Sequence, residues 1–174
     1  KHGGTIVRIQ GDGMLAIFGY PDAREDDGRR ATAAALELHD MVRSLRLSPP
    51  FAAHSPLGLH TGIHSGLVLL DEGDLVRGRF ELVGDAPNVA WRLSELAENG
   101  EILVSEATLG PESHFFRTGG RQFVDLKGRA EPIAVCRVLA RTSVGTRFEA
   151  SARRGLTPFV GRQFELGVLE SRLR

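Results

Sequence analysis

The run Gly84-Asp85-Ala86-Pro87-Asn88-Val89-Ala90-Trp91-Arg92-Leu93 constrains this chain more than any other stretch, because it predicts a helix with two chemically different edges. Asp85 suits the N-cap, and Pro87 suits the first turn, where its missing N–H costs no hydrogen bond. Asn88 and Arg92 then fall at i, i+4 on one edge, with Glu95 at i+7. Val89, Leu93 and Leu96 form an apolar stripe beside them. One edge can be buried while an amide and a fixed cation project from the other. An amphipathic surface helix with an incidental arginine has the same pattern, so a second segment must decide its use.

That segment is Ile6-Val7-Arg8-Ile9-Gln10-Gly11-Asp12-Gly13-Met14-Leu15-Ala16-Ile17-Phe18-Gly19. Two apolar runs flank Gly-Asp-Gly, which predicts a β-hairpin over 5–10 and 14–19 with Asp12 at its tip. A tip carboxylate between glycines is uncrowded and able to ligate a hard cation such as Mg²⁺. A plain Asp-Gly turn without a ligand is the alternative.

Together these segments resemble the class III nucleotidyl cyclase catalytic domain, the adenylate and guanylate cyclase homology fold. The resemblance runs from about Thr5 to Leu139. After the Gly-Asp-Gly hairpin and a long helix come Gly58-Leu59-His60-Thr61-Gly62-Ile63-His64-Ser65-Gly66, the Asn88/Arg92 helix, Gly100-Glu101-Ile102-Leu103-Val104-Ser105 and Leu126-Lys127-Gly128. It implies an α+β fold with a ferredoxin-like core, a largely antiparallel sheet carrying packed helices. It also implies conversion of a nucleoside triphosphate to its 3′,5′-cyclic nucleotide and pyrophosphate, assisted by two Mg²⁺ or Mn²⁺ ions.

Residue by residue, the resemblance gives Asp12 one of two metal-binding aspartates, Asn88 the orientation of the ribose and Arg92 transition-state stabilisation. Lys127 lies in the loop that meets the terminal phosphates, with Arg129 as a nearby substitute. Arg77 is a further phosphate candidate, although a solvated loop charge explains it equally. Arg8 and Glu81 stand where the family reads the purine. Arg can donate to adenine N1 while Glu accepts from the N6 amino group, which favours ATP. The same pair can donate to guanine O6 and accept from N1–H, so GTP stays open. A cross-strand ion pair between Arg8 and Glu81 is the structural alternative. The resemblance further implies a homodimer with shared active sites, Asp12 from one subunit facing Asn88 and Arg92 of the other.

The family's other metal aspartate sits on a first strand that would precede Lys1. The chain, which starts without Met, is therefore expected to be an N-terminally truncated piece, inactive or nearly so by itself. A non-catalytic cyclase-like module that dimerises or senses nucleotide to regulate a downstream NTPase is the competing function.

Composition is consistent with one soluble domain plus a fragment. Of 174 residues, 41% are hydrophobic and 25% charged, ordinary for a chain that buries a core. Lys+Arg and Asp+Glu are both 22, which leaves no basic excess for nucleic acid. The single cysteine, Cys136, cannot form an intrachain disulfide, and no apolar run approaches the roughly 20 residues that span a bilayer, so a cytoplasmic setting is expected.

Along the chain, apolar spacing predicts a helix over 28–46, one or two strands within 57–70, a strand over 80–83 and a helix over 86–97. A strand over 101–104, a short helix over 105–110, a hairpin across 115–126 through Gly119-Gly120 and a last strand over 133–139 follow. His60 and His64, at i, i+4 on a strand, lack a third ligand and read as packing or surface residues. Residues 1–139 form the domain and 140–157 a polar linker. Residues 158–174 contain Phe159-Val160-Gly161-Arg162-Gln163-Phe164-Glu165-Leu166, which resembles the entry of a signal-transduction P-loop ATPase, with a simple amphipathic helix as the alternative. No Gly-x-x-x-x-Gly-Lys-Ser/Thr run is present.

Overall fold

The computed structural model describes residues 1–45, 57–74, 79–142 and 161–172. They divide into two units, Lys1–Ser143 and Val144–Arg174. In the first unit, β1 (Thr5–Gln10) and β2 (Gly13–Ile17) form an antiparallel hairpin, followed by the helix α1 (Asp27–Ser44). Next come β3 (Thr61–Ile63), β4 (Leu69–Asp74), β5 (Arg79–Val83) and α2 (Asp85–Leu96). Strand β6 (Ile102–Ser105), the single turn α3 (Glu106–Leu109) and a 3-10 turn (Gly110–Phe115) precede β7 (Phe116–Thr118), β8 (Gln122–Val124) and β9 (Ile133–Arg141).

The central sheet has the order β3-β6-β9-β7, with β8 also on β9. Its pairs are antiparallel except β3 with β6, which run parallel because the chain returns to β6 through α2. Strand β6 is buried at every position because helices cover both faces of the sheet. Ile102 and Val104 pack with Ala33, Ala35 and Leu36 of α1, together with Leu109, Phe116 and Val138. Leu103 points the other way, into a cluster with Val89, Leu93 and Ala97 of the α2 region, Leu126 and Val135. A continuous apolar run is what such a doubly covered strand requires.

One expectation needs correction. The segment 115–126 does not fold back on itself at Gly119-Gly120. Both β7 and β8 pair with β9, Phe116 opposite Arg141 and Val124 opposite Ile133, and the Gly119 amide donates to the Arg137 carbonyl at 2.8 Å. The two glycines are thus an interruption in one long strand, and the reversal comes at 125–132. Two adjacent glycines suit a strand irregularity as well as a turn, so local composition alone could not choose. Within 57–70, regular strand covers only Thr61–Ile63 and the start of β4 at Leu69.

The second unit contributes α4 (Gln163–Arg172), whose described residues are all exposed, including Phe164 and Leu169. Residues 143–160, with most of the expected linker, lie outside the described residues.

Candidate functional site

Helix α2 is seated by close backbone approach. A side chain on Gly62 of β3 would collide with the Ala90 carbonyl and the Ser94 amide, so only glycine lets strand and helix meet there. Ala86, Val89, Leu93 and Ala97 are the buried stripe, whereas Leu96, expected within it, is exposed. The i, i+4 step from Val89 to Leu93 continues to Ala97, the extended C-cap residue, rather than to Leu96.

The N-cap is Gly84, not Asp85, and no side chain caps the helix. Gly84 has φ of +153°, and a Cβ there would stand 2.8 Å from the Leu67 carbonyl, so glycine is required where β5 turns into α2. Asp85 is displaced into the first turn, where its charge complements the helix N-terminus, and it forms an ion pair with Arg129. Asn88 donates from Nδ2 to the Gly84 carbonyl at 3.3 Å, which holds its amide at the head of the helix. Arg92 is half-buried one turn on, with no side-chain partner among the described residues.

The reversal after β8 is pinned against this edge. Leu126 is buried among Val89 and Leu93, and the Arg129 amide closes a turn on the Leu126 carbonyl at 3.0 Å. A Cβ on Gly128 would lie 4.0 Å from Arg92 Nη1. Asn88, Arg92, Lys127 and Arg129 are thus gathered at one end of α2. Arg129 is committed to Asp85, and Lys127 is exposed with no partner among the described residues. The cluster offers two uncommitted cations and an oriented amide, a set suited to a polyanion.

Asp12 is exposed at the two-residue turn of the β1–β2 hairpin, where Gly11 has φ of +62°, as a type II′ turn demands at its first central position. Its carboxylate has no partner among the described residues. Those residues also contain no group of three His, Cys, Asp or Glu able to hold a metal. As an exposed hard oxygen donor, the Asp12 carboxylate has the chemistry a divalent cation such as Mg²⁺ takes, and would be a single protein ligand to it. Arg8 is exposed on β1, opposite Leu15. Glu81 lies opposite Asp71 in the β4–β5 ladder, and β5 runs beside β1, which brings together the strands that carry Glu81 and Arg8. Arg77 lies outside the described residues.

The histidines have structural partners. His60 donates from Nδ1 to the Ser94 carbonyl at 2.6 Å, and His64 Nδ1 hydrogen-bonds Ser105 Oγ at 2.8 Å, itself bonded to Thr108 Oγ1 at 2.8 Å. Burial, reinforced by Arg129, holds the His64 imidazole below its usual range, and Asp85 acts in the opposite sense. The Asp85–Arg129 pair and the packing of Trp91 at the hairpin tip were not legible in the sequence, because both join residues far apart in the chain.

The adenylate and guanylate cyclase catalytic domain model matches residues 1–138. A receptor-type guanylate cyclase, gcy-23 of Caenorhabditis elegans, is 30% identical over 107 residues, covering 61% of this chain and 10% of that protein. An adenylate cyclase of Mycobacterium tuberculosis is 25% identical over 129 residues, covering 74% of this chain and 28% of that protein. The chain thus spans only a small part of the length of these curated relatives. The crystal structure of the guanylyl cyclase Cya2 superposes with a TM-score of 0.74 at 29% identity, over 82% of this chain and 73% of that one. With the family model covering the hairpin, the central sheet and the whole α2 edge, this chain belongs to the adenylate and guanylate cyclase catalytic domain family.

Proposed function

We propose that the full-length protein containing this chain is a nucleotidyl cyclase acting on ATP, in the cytoplasm, as a homodimer with shared active sites. The observation that carries this is the convergence of Asn88, Arg92 and the 126–129 turn at one end of α2 in a chain of this family. In the reaction the ribose 3′-oxygen bonds to the α-phosphorus as the bond to the pyrophosphate oxygen breaks, and the 3′-hydroxyl proton is released. Mg²⁺ or Mn²⁺, when bound at Asp12, lowers the pKa of that hydroxyl and screens the triphosphate charge.

The chain's own residues supply the rest. Asn88, its amide held by Gly84, hydrogen-bonds the ribose and limits its rotation. Arg92 directs fixed N–H donors at the phosphoryl oxygens, where negative charge grows. Lys127 receives the terminal phosphates, while Arg129 holds the loop to Asp85. Arg8 and Glu81 read the base, donor and acceptor matching the adenine edge. Named relatives include both adenylate and guanylate cyclases, so GTP is the second substrate to test.

One observation favours another function: Asp12 belongs to no group of three His, Cys, Asp or Glu able to hold a metal among the described residues. A non-catalytic module would bind nucleotide and dimerise without turnover, relaying occupancy to a downstream NTPase. Incubating the full-length protein with Mn²⁺-ATP or Mn²⁺-GTP and resolving the products by chromatography separates the two. Cyclic AMP in excess of cyclic GMP, lost in Arg92→Ala, is the expected result. Nucleotide binding with no cyclic product overturns the cyclase assignment in favour of the module.

A further inference from the structure

The two glycines beside Asp12 have different surroundings. A Cβ on Gly11 would meet nothing within 4 Å, whereas a Cβ on Gly13 would lie 3.6 Å from both Cη2 and Cζ3 of Trp91. The far rim of the indole therefore backs the Gly13 side of the hairpin tip. At its other edge, Trp91 Nε1 donates to Glu95 Oε1 at 3.0 Å, one turn along the same helix. That bond fixes the ring's rotation, so the side chain acts as a strut from α2 to the tip. Trp91 remains 49% exposed, so its position is not dictated by core packing.

The strut has mechanical work to do. Strands β1 and β2 form a sheet of their own, with no ladder to the central sheet among the described residues. Two-stranded hairpins hold their shape poorly without packing partners. Ile9 and Met14, the cross-strand pair next to the turn, are both exposed. Trp91 thus supports the tip beyond the stretch where β1 runs beside β5.

We infer that Trp91 is a positioning residue that holds the Asp12 carboxylate through Gly13. Because Trp91 sits between Asn88 and Arg92, it also ties the tip of its own chain to its own transition-state edge. This rests on the shared-site reading above, in which those two edges serve different active sites. One indole then links the two sites of the dimer. Freeing the tip spreads Asp12 over many positions, and apparent metal affinity falls with the fraction of time spent in the productive one.

The test uses full-length protein as a mixed dimer. One subunit carries Arg92→Ala and supplies Asp12, and the other carries Asp12→Ala and supplies Arg92, so a single site works. Trp91→Ala placed in the Asp12-supplying subunit is expected to raise half-saturating Mn²⁺ roughly tenfold with nucleotide KM little changed. Placed in the other subunit it should leave the Mn²⁺ requirement alone, and Trp91→Phe, which lacks both the far rim of the indole and the Nε1–Glu95 bond, should recover little of the wild-type Mn²⁺ affinity. An equal shift from either subunit overturns the inference, because it marks a general loss of structure. A mixed dimer inactive before Trp91 is changed refutes the shared site alone. The strut is then judged by amide hydrogen exchange over 9–14. Faster exchange in Trp91→Ala and Trp91→Phe than in wild type upholds it, and unchanged exchange overturns it.

Discussion

Arg129, on the turn after β8, forms an ion pair with Asp85 in the first turn of α2, and so fastens the 126–129 turn to the helix that carries Asn88 and Arg92. The pair is exposed, 37% at Arg129 and 61% at Asp85, so it adds less than about 1 kcal/mol to stability. Its consequence is a division of labour: with Arg129 occupied, Lys127 is the loop cation without a partner among the described residues. Lys127→Ala should therefore raise nucleotide KM roughly tenfold, the loss of one charge-assisted contact. Arg129→Ala should raise it less. Steady-state kinetics with Mn²⁺-ATP on the two variants checks the order, and a larger effect at Arg129 would reverse the assignment.

Arg92 has no side-chain partner among the described residues, so its removal is expected to act on the substrate rather than on the fold. Arg92→Ala should lower kcat by about 10²–10³ with little change in KM, the pattern of a group that works in the transition state. Arg92→Lys should recover little, because a point charge cannot reproduce the planar fork of donors. Single-turnover measurement of cyclic nucleotide gives the answer directly.

If each site combines Asp12 of one subunit with Arg92 of its partner, Asp12→Ala and Arg92→Ala proteins are inactive alone and active together. An equal mixture that exchanges subunits freely should reach about one quarter of wild-type activity, since half the dimers are mixed and each has one intact site. Two dimeric mutants that mix to no activity would rule the arrangement out.

His39 on α1 is buried and hydrogen-bonds through Nε2 to Thr61 Oγ1 at 2.9 Å. Burial, aided by the Arg43 charge, pushes its pKa below the ordinary 6.5. Below that value the unfolded chain takes up a proton that the folded chain refuses. Stability is therefore full above about pH 6.5 and declines as pH falls, by up to about 1.4 kcal/mol per pH unit. Urea unfolding of His39→Gln across this range should give a shallower slope than wild type. The slope should not vanish, because buried His64 has the same sign.

Gly62→Ala forces β3 away from the backbone of α2 at Ala90 and Ser94. The expected cost is about 1–3 kcal/mol in unfolding free energy, with activity falling further because the Asn88/Arg92 edge moves with the helix. Gly120→Ala, where a Cβ meets nothing within 4 Å, is the control and should change neither.

Much of this fold was legible because local rules and tertiary needs agreed. The hairpin around Asp12 follows from Gly11 and two apolar runs. The helices over 27–44 and 85–96 fall within two residues of the ends that spacing predicts. The misplaced hairpin at Gly119-Gly120 marks where they diverged. Adjacent glycines permit both a turn and an interrupted strand, and only the length of β9 selects the second. The N-cap failed for a related reason. Asp85 has cap chemistry, but the approach of Leu67 leaves room only for Gly84 at that corner.

The sequence alone determined the order of the motifs, the i, i+4 pairing of Asn88 with Arg92 and the exposure of Asp12, since each depends on residues within a few positions of one another. Tertiary structure decided what surrounds them. It alone brought Arg129 to Asp85, set Gly128 against Arg92 and laid Trp91 behind the hairpin tip. Those contacts join segments far apart in the chain, and they form only when buried residues such as Leu93 and Leu126 are packed together, a choice made by the whole core at once.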